Sequence, residues 1–501
     1  MSDSKSKAGE AEVIRFGTDG WRAIIAEDFT FANVEKVSYA IGLYIKHAYG
    51  DKKTGRVEIP VLVGYDTRFL ADKFACRAAQ VLMAMGLSVK LAARDIPTPT
   101  IAWATCSDHF GPTAGALQFT ASHNPPEYCG VKYIPHYGGP ATTAITAEIT
   151  KNLKKCPRPV LYSHEQAERF DVAAPYMEAI KKLVDLDKIR ASGLKVAFDA
   201  LYSTSRGYLD KIIRETGLTL NVMHNVRDPL FGGGMPEPTA KYLKELMATV
   251  DSGRFDLGLA TDGDADRFAV IDNNGYFMTP NQLLCLLTVH LCKNHNMRGA
   301  VVRNVGTTHM LDLLAARYDL PVIETPVGFK YIGEKMRSED VLIGGEESGG
   351  VSIKGHIPEK DGILANLLVL EMVAYEKKPL SKIWSELEAE VGTRFFQRRG
   401  DLHLTAVVQK RLLAHLASHP IDSLLGRKLV KVDALDGLKL YHDADNWLLI
   451  RPSGTEPVIR VSGEGTSAEL IDQLMLDFKT QIELIISGFE KTPSEPAAAG
   501  I

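Results

Sequence analysis

A serine beside a histidine lies where an apolar run of the sequence stops. The run 113–119 has the pattern of a strand, and the stretch 120–126 (TASHNPP) contains two prolines, which exclude a helix or a central strand there. Ser122, with His123 next to it and Lys132 ten residues on (132 − 122 = 10), is a candidate nucleophile or phosphate carrier. The local sequence by itself favours an Asn-Pro turn with an idle serine, so the interpretation depends on the rest of the chain.

Three aspartates alternate with small residues in the sequence TDGDADR. Asp262, Asp264 and Asp266 carry like charges that destabilise one another unless a cation is bound. An EF-hand is excluded, because it needs glycine and glutamate at the positions that Arg267 and Asn273 occupy. Three carboxylates leave room for water and an outside oxygen, which favours Mg²⁺. A solvated acidic turn is less favoured, because the stretch follows an apolar strand end, where α/β proteins bind ligands.

Two further stretches combine glycine with groups that bind oxygen-rich ligands. In GGEESGG (344–350), Glu346 and Ser348 suit recognition of neighbouring hydroxyl groups, as on a sugar, although a plain flexible loop is equally compatible. In RPSGTEP (451–457), a guanidinium, two hydroxyls and an accessible backbone N–H suit a phosphate dianion, with a tight turn as the alternative. The groups concerned are Arg451, Ser453, Gly454 and Thr455.

The composition of the chain excludes several classes of function. A net charge of −4, from 58 basic and 62 acidic residues among 501, gives no reason to expect a nucleic acid or an anionic membrane as partner. The six cysteines form no CxxC pair, which argues against a zinc cluster or a disulfide framework and for a reducing compartment. The run 328–336 lacks the Lys-[Ser/Thr] of a nucleotide P-loop, and no GxGxxG fingerprint occurs.

The apolar stretches of the chain bear on where the protein resides. The first dozen residues are polar and contain no apolar signal core. The longest strongly apolar helix-like stretch, 282–292, is too short to span a bilayer. We therefore expect a cytoplasmic protein without a membrane partner.

The candidate residues lie between elements that alternate as in α/β proteins. Strands are predicted at 61–64, 88–92, 195–198 and 300–303, and helices at 70–85, 175–189, 204–215 and 467–487. Strand–helix–strand alternation of this kind predicts successive α/β units. After Glu390 the pattern changes to strand-like pieces around a helix, followed by the long final helix, which predicts a smaller α+β unit.

The motifs TASHNPPEYCGVK, DGDADR, GEESGG and RPSGTEP, in this order and at these spacings, resemble the α-D-phosphohexomutase superfamily. The resemblance extends from about Phe16 to the final helix. It implies three similar α/β domains with mixed sheets and a smaller C-terminal α+β domain, arranged around a central cleft to which each contributes one loop. The domains are expected at 13–158, 159–297, 298–390 and 391–490, with disordered tails at 1–12 and 491–501.

The same resemblance implies a chemistry. Ser122 maps to a phosphorylated serine, and Mg²⁺ is expected on the aspartates of DGDADR together with an oxygen of the phosphoserine. The second acidic residue of GEESGG and the later sequence HIPEKDG resemble phosphoglucomutases most. The expected reaction interconverts glucose 1-phosphate and glucose 6-phosphate, with glucose 1,6-bisphosphate as intermediate and activator.

The remaining site residues receive roles from the resemblance as well. Basic groups near the transferred phosphoryl group are Arg22, Lys132 and Arg267, and either His123 or Lys132 moves the proton. The sugar hydroxyls are assigned to Glu346 and Ser348, with Lys330 and Lys360 as further candidates. The phosphate that does not react is assigned to Arg451, Ser453, Gly454 and Thr455.

Several alternatives stay open at this point. The sugar could be mannose or glucosamine phosphate as well as glucose phosphate, as in a bifunctional phosphoglucomutase/phosphomannomutase. A glucose 1,6-bisphosphate synthase and a metal-dependent phosphatase share parts of the chemistry. An inactive sugar-phosphate-binding regulator is disfavoured, because Ser122 and the aspartates of DGDADR are intact. The partner is expected to be a hexose phosphate, and the protein a monomer or a homodimer.

Overall fold

The computed structural model of the chain describes residues 14–17, 20–452 and 458–491. As described, the chain divides into two compact units. The first comprises residues up to 302 together with 318–323 and 328–385. The second comprises 303–317, 324–327 and the residues from 386 on.

The first sheet of the chain is mixed. It contains β1 (Trp21–Ile24), β2 (Val61–Tyr65), β3 (Val89–Ala92), β4 (Ala116–Phe119), β5 (Tyr128–Ile134) and β6 (Glu168–Phe170). Its helices are α1 (Phe31–Tyr49), α2 (Ala71–Ala84), α3 (Thr98–Cys106) and α4 (Thr143–Leu153). The strand order is β1-β5-β4-β2-β3-β6, in which β5 runs antiparallel to both neighbours and the remaining pairs are parallel. All residues of β2 and β4 are buried, as expected of strands covered on both faces.

The second sheet is mixed as well. It contains β7 (Lys195–Asp199), β8 (Thr219–Met223), β9 (Leu257–Thr261), β10 (Phe268–Asp272) and β11 (Phe277–Met278). Its helices are α5 (Ala173–Lys181), α6 (Leu186–Ser192), α7 (Leu209–Glu215) and α8 (Lys244–Thr249), with short helical turns at Phe231–Gly233 and Val250–Arg254. The order is β11-β10-β9-β7-β8. β7 pairs in parallel with β8 and β9, whereas β10 is antiparallel to β9 and β11.

The third sheet has the strand order β13-β12-β14-β15. These are β12 (Ala300–Asn304), β13 (Val322–Thr325), β14 (Val341–Gly345) and β15 (Val351–Ile353), and β14 and β15 form an antiparallel hairpin. The helices are α9 (Pro280–Lys293), α10 (Met310–Arg317), α11 (Phe329–Ser338), α12 (Gly362–Glu376) and α13 (Leu380–Val391). A capping box of Thr279 and Gln282 fixes the start of α9.

The last sheet is antiparallel throughout its described strands. They are β16 (Phe396–His403), β19 (Lys431–Asp433), β20 (Leu438–Tyr441), β21 (Trp447–Pro452) and β22 (Val458–Gly465), in the order β16-β22-β21-β20-β19, and β17 (Ser423–Leu424) with β18 (Arg427–Lys428) forms a separate ribbon. Helices α14 (Ala406–Ser418) and α15 (Ala468–Lys491) cover the sheet with a core that includes Leu416, Ile471 and Phe478. The predicted fold class, successive α/β units and a smaller α+β unit, is confirmed.

Two predicted helices are wrong in their bounds. The helix predicted at 175–189 is two helices, α5 and α6, because the Asp185 side chain caps a new helix by accepting a hydrogen bond from the Lys188 N–H. The helix predicted at 204–215 begins only at Leu209. Its first residues form a buried turn instead, in which the Ser205 hydroxyl is 2.7 Å from that of Thr261.

Two predictions from the sequence concern the ends of the chain and the membrane. The predicted tails lie outside the described residues, apart from Lys491 at the end of α15. Within the described ranges, no helix is both long and apolar enough to cross a membrane.

The stretches singled out by their chemistry lie at strand ends of the first unit. The serine stretch follows β4, the aspartate stretch joins β9 to β10, and the glycine-rich stretch joins β14 to β15. Each therefore begins where a fully buried strand fixes the direction of the chain. Of the phosphate-binding stretch predicted at 451–457, Arg451 and Pro452 end β21, and residues 453–457 lie outside the described residues.

A group of aromatic side chains lies beneath the serine stretch. The ring of Phe29 stacks on Trp21 at 4.6 Å between centroids and meets Phe74 edge-on at 4.9 Å. It also contacts Phe119, the last residue of β4, at 6.5 Å. Because Phe29 is fully buried, its removal would leave a cavity under the strand end that carries the serine.

We expect Phe29→Ala to lower the free energy of unfolding by about 3–5 kcal/mol, from lost burial and the cavity that remains. The matched control is Phe69→Ala, because the Phe69 ring is 55% exposed. That change is expected to cost no more than about 0.5 kcal/mol. Urea denaturation of both variants checks the prediction, and equal midpoints would show that the aromatic group does not support the fold.

Candidate active site

Ser122 lies one turn beyond β4 in a strained backbone conformation. Its φ of 51° is in the left-handed region, which residues other than glycine adopt rarely. The conformation is held by a hydrogen bond from the Ser122 N–H to the Thr120 hydroxyl at 2.8 Å. The side chain is 1% exposed, and its Oγ donates to Asp262 Oδ2 at 2.8 Å and lies 3.3 Å from His123 Nδ1. The structure thus brings the predicted serine and the first predicted aspartate into contact.

Arg68 holds the serine stretch from below. Its guanidinium, fully buried, donates to the backbone carbonyls of Ser122 (2.7 Å), Asn124 (2.6 Å), Pro125 (2.7 Å) and Tyr128 (2.9 Å). Nε donates to Asp66 Oδ2 at 3.1 Å. Burial raises the pKa of Asp66 to about 6, and the charge of Arg68 opposes that rise. A planar cation with donors on several sides is suited to this task, because loop carbonyls present their lone pairs in different directions.

The sequence interpretation did not assign a role to Arg68. The signal available was the run DTR (66–68) directly after β2, a polar stretch at the end of a buried parallel strand. Since carboxyl ends of neighbouring parallel strands share one edge of the sheet, the end of β2 and the end of β4 are adjacent.

Arg22 borders the serine stretch from another direction. It lies on β1, opposite Gly130 of β5. Its Nη1 donates to Asn124 Oδ1 at 2.7 Å and to the Ala121 carbonyl at 3.2 Å. The predicted position of Arg22 next to the serine is therefore found in the structure.

The aspartates form a compact, buried group at the tip of the β9–β10 hairpin. Asp262, Asp264 and Asp266 are at most 1% exposed, and one carboxylate oxygen of each lies within 4.8 Å of the others. The tip is tightly wound, with Ala265 at a φ of 59°. Gly263 allows the serine stretch to come close, because a Cβ there would be 2.5 Å from the Ser122 carbonyl oxygen.

Two lysines compensate part of the charge of this group. Lys132 on β5 donates to Asp264 Oδ2 and to Asp266 Oδ2, each at 3.0 Å. Lys360 lies 3.2 Å from Asp266, and Thr98 donates to Asp264 at 2.5 Å. Lys132 and Lys360 were both predicted site residues, and both are found against the aspartates.

The residues of the hairpin tip fit a divalent cation. Burial, and then the charges of Asp266 and Asp264, raise the pKa of Asp262 well above its ordinary value. For Asp266, burial alone would raise the pKa, but Lys132, Lys360 and Arg267 hold it well below. The Oδ1 atoms of Asp264 and Asp266 are buried and accept no hydrogen bond from any described residue. Clustered carboxylate oxygens of this kind are what Mg²⁺ binds in proteins.

His123 is neutral in this environment. The nearby charge of Arg267, then burial, then the charge of Arg22 lower the pKa of His123 well below 6.5. The Nδ1 atom of this imidazole lies within reach of Ser122 Oγ for a proton transfer, although the lowered pKa makes it a weak base. Lys132, the alternative predicted for this step, is already engaged with two carboxylates.

The glycine-rich stretch lies against the aspartate hairpin. The backbone of Arg267 forms an isolated antiparallel bridge with Gly350, and the Phe268 N–H donates to the Gly349 carbonyl at 3.2 Å. Glu346 is buried, and its Oε1 accepts from the Gly328 N–H at 2.9 Å. By contrast, Ser348 is exposed.

Two further predicted residues, Lys330 and Arg451, belong to different units. Lys330, in the first turn of α11, belongs to the first unit, and its Nζ lies 4.9 Å from the centre of the Tyr331 ring. Arg451 belongs to the second unit, where its Nη2 is 2.9 Å from Asp436 Oδ2. Ser453, Gly454 and Thr455 lie outside the described residues.

Family models match the chain in four successive segments. They describe the α/β/α domains I, II and III and the C-terminal domain of phosphoglucomutase/phosphomannomutase, at residues 13–158, 174–275, 279–391 and 410–481. A phosphoglucomutase/phosphomannomutase of Thermococcus kodakarensis is 31% identical over 91% of this chain and 95% of its own. The chain belongs to the phosphoglucomutase/phosphomannomutase family.

Other relatives of this phosphohexomutase differ in the sugar that their names specify. A phosphoglucomutase of Komagataeibacter xylinus is 30% identical, over 90% of this chain and 87% of its own. Further relatives at a similar level of identity are named phosphoglucosamine mutases. A Thermus thermophilus structure, provisionally described as a phosphomannomutase, has a TM-score of 0.81 at 34% identity and covers 94% of this chain and 99% of its own. The family consists of enzymes that transfer phosphate within a sugar, and its specific substrate differs among members.

We expect Arg68→Lys to lower kcat/KM of this phosphohexomutase by about a hundredfold or more, because a lysine cannot hold several carbonyls at once and misplaces Ser122. The control is Arg94→Lys, since Arg94 pairs with Asp171 at the surface and lies over the Tyr208 ring. That variant should stay within about twofold of the parent. Steady-state kinetics, with circular dichroism to verify folding, decide the matter. Equal rates for the two variants would contradict the role given to Arg68.

Proposed function

We propose that the protein is a phosphoglucomutase that interconverts glucose 1-phosphate and glucose 6-phosphate through a phosphoserine at Ser122. The observation that carries the proposal is the position of Ser122 Oγ, buried and 2.8 Å from Asp262 Oδ2. A serine in contact with a buried carboxylate group that suits Mg²⁺ is placed to carry a phosphoryl group. The magnesium dependence and the phosphoserine are parts of this proposal.

The proposed reaction proceeds by two phosphoryl transfers. The phosphoryl group leaves Ser122 Oγ for the free hydroxyl of a glucose monophosphate, which gives glucose 1,6-bisphosphate. The bisphosphate then returns its other phosphoryl group to Ser122 Oγ, which releases the isomeric monophosphate. Bound to Asp262, Asp264 and Asp266, Mg²⁺ would neutralise charge on the transferred group. Positive charge for the same purpose is available from Arg22 and Arg267, while Lys132 orders the aspartates.

We assign the proton transfer to His123. In the first transfer the attacking sugar hydroxyl loses a proton and the departing Ser122 Oγ gains one. His123 Nδ1 lies 3.3 Å from that oxygen, within reach for a proton transfer. The side-chain nitrogen of Lys132 donates to Asp264 and Asp266, so we assign it to the aspartates instead.

The contacts to the sugar and to the distant phosphate complete the proposal. Glu346 is proposed to accept from sugar hydroxyls, as a buried carboxylate on a loop that adjoins the aspartate hairpin. Ser348, Lys330 and Lys360 are secondary candidates for the same ligand. The phosphate that does not react is assigned to Arg451, Ser453, Gly454 and Thr455, and exchange of the bound ends lets it accept either phosphate in turn.

Removal of the Ser122 hydroxyl tests the proposed carrier directly. Ser122→Ala removes the proposed carrier, so mutase turnover should fall by at least about 10⁴-fold, because chemistry through the covalent carrier is lost. Ser252→Ala, which alters an exposed serine in a turn, serves as the control and should retain full activity. Intact-protein mass spectrometry should find one phosphoryl group on the parent and the control but none on Ser122→Ala. Sustained turnover by Ser122→Ala would disprove the mechanism.

The sugar preference and the fate of the bisphosphate distinguish the alternative functions. With Mg²⁺ present, kcat/KM should be highest for glucose 1-phosphate among the glucose, mannose and glucosamine phosphates. Comparable rates on mannose 1-phosphate would instead favour a bifunctional enzyme, a candidate supported by the name of the Thermococcus relative. Catalytic amounts of glucose 1,6-bisphosphate should accelerate the reaction. Accumulating bisphosphate would indicate a synthase, and steady release of inorganic phosphate a phosphatase.

A further inference from the structure

A second group of metal-binding side chains lies outside the loops of the active site. It consists of His290 near the end of α9, His295 in the segment after it, and Glu371 on α12. One donor atom of each residue lies within 4.8 Å of the others. None of these residues belongs to the proposed reaction.

The donor atoms converge on one point. The Nε2 atoms of His290 and His295 are each 2.9 Å from Glu371 Oε2. Glu371 and the His290 side chain are fully buried, whereas the His295 side chain is 21% exposed. One edge of the group is therefore accessible to solvent, which gives an ion a route of entry and a position for a water ligand.

Outer contacts fix the orientation of these side chains. The other carboxylate oxygen of Glu371 accepts from the Asp185 N–H at 2.6 Å. Asn294 places its side-chain amide 2.9 Å from His290 Nδ1. The two ends of an amide are interchangeable by rotation, so Asn294 can present its oxygen to an Nδ1–H. Metal-binding histidines are commonly oriented by a hydrogen bond of this kind to their second nitrogen.

The donor types of the group suit a cation. Two imidazoles and one carboxylate are the protein ligands of Zn²⁺ sites in which water is the fourth ligand.

We propose that His290, His295 and Glu371 bind a divalent transition-metal ion of the Zn²⁺ class. The ion would join the end of α9 to α12. Through the Asp185 N–H it would also be linked to the start of α6, which the Asp185 side chain caps. The helices that it joins are packed elements of the first unit, and the proposal does not depend on the proposed function.

The test measures Zn²⁺ binding to the full-length protein after removal of metals by a chelator. Titration calorimetry with excess Mg²⁺ present should find one Zn²⁺ site that persists in Asp264→Asn, a variant of the aspartate group. His295→Gln should weaken the affinity at least tenfold. Co²⁺ added in place of Zn²⁺ should give the visible absorption of a tetrahedral complex with nitrogen ligands, and His295→Gln should abolish it.

The matched control is His415→Gln, because His415 on α14 stacks with His419 just after that helix and forms a second pair of neighbouring histidines. This variant should retain the site. If His295→Gln does not fold, Glu371→Gln takes its place, because it removes the carboxylate charge and should likewise weaken Zn²⁺ binding. The cobalt spectrum of the unmodified protein reports the ligands in either case. Equal Zn²⁺ affinity in the parent and in His295→Gln, or a cobalt spectrum without nitrogen ligands, would overturn the proposal. The three side chains would then form a hydrogen-bonded group without a metal.

Discussion

Burial of three carboxylates at one hairpin tip is the constraint on which the candidate active site depends. Removing an ionised carboxylate from water costs several kcal/mol, at order of magnitude, unless opposite charge replaces the water. Here the compensation comes from residues distant in sequence, since Lys132 lies on β5 of the first sheet and Lys360 follows β15 of the third. The hairpin tip of the second sheet therefore contacts a strand of the first sheet and the segment that follows the last strand of the third. Assembly of the aspartate group thus requires all three sheets.

The backbone around this charge is strained, and the surroundings keep it so. Ser122 and Ala265 both adopt left-handed conformations, each of which costs free energy of order 1 kcal/mol. Arg68 offsets this for Ser122 through hydrogen bonds to the carbonyls of its stretch. A fixed backbone, together with the hydrogen bond from Ser122 Oγ to Asp262, restricts the position of Oγ, which the phosphoryl transfer proposed for Ser122 requires.

The sequence predicted those parts of the site that are local. Ser122 and the aspartates follow strands directly and are marked by small residues and prolines. The spacing of the aspartates indicated a metal site, whereas the role of Ser122 came from the resemblance of the four motifs together. Arg68 and Thr98 could not be predicted in this way, because their partners lie 54 and 166 positions away and depend on how strands and hairpins pack. For Lys132 the location was predicted but proton transfer was only one of its candidate roles, and its ion pairs with Asp264 and Asp266 become visible only in three dimensions. The helix bounds failed for a similar reason, since the turn before α7 is stabilised by contacts with β9.

The pairing of Arg451 with Asp436 bears on the proposed binding of the phosphate that does not react. The pair is half-buried, at 25% and 26% exposure, and Asp436 also accepts from the Val327 N–H at 2.8 Å. An ion pair so exposed stabilises the fold by no more than about 1 kcal/mol. A phosphate dianion offers a guanidinium a stronger, bidentate partner than one carboxylate does. Asp436, fixed by a backbone hydrogen bond, can therefore hold Arg451 in place without competing effectively for it, which is what the phosphate contact proposed for Arg451 requires.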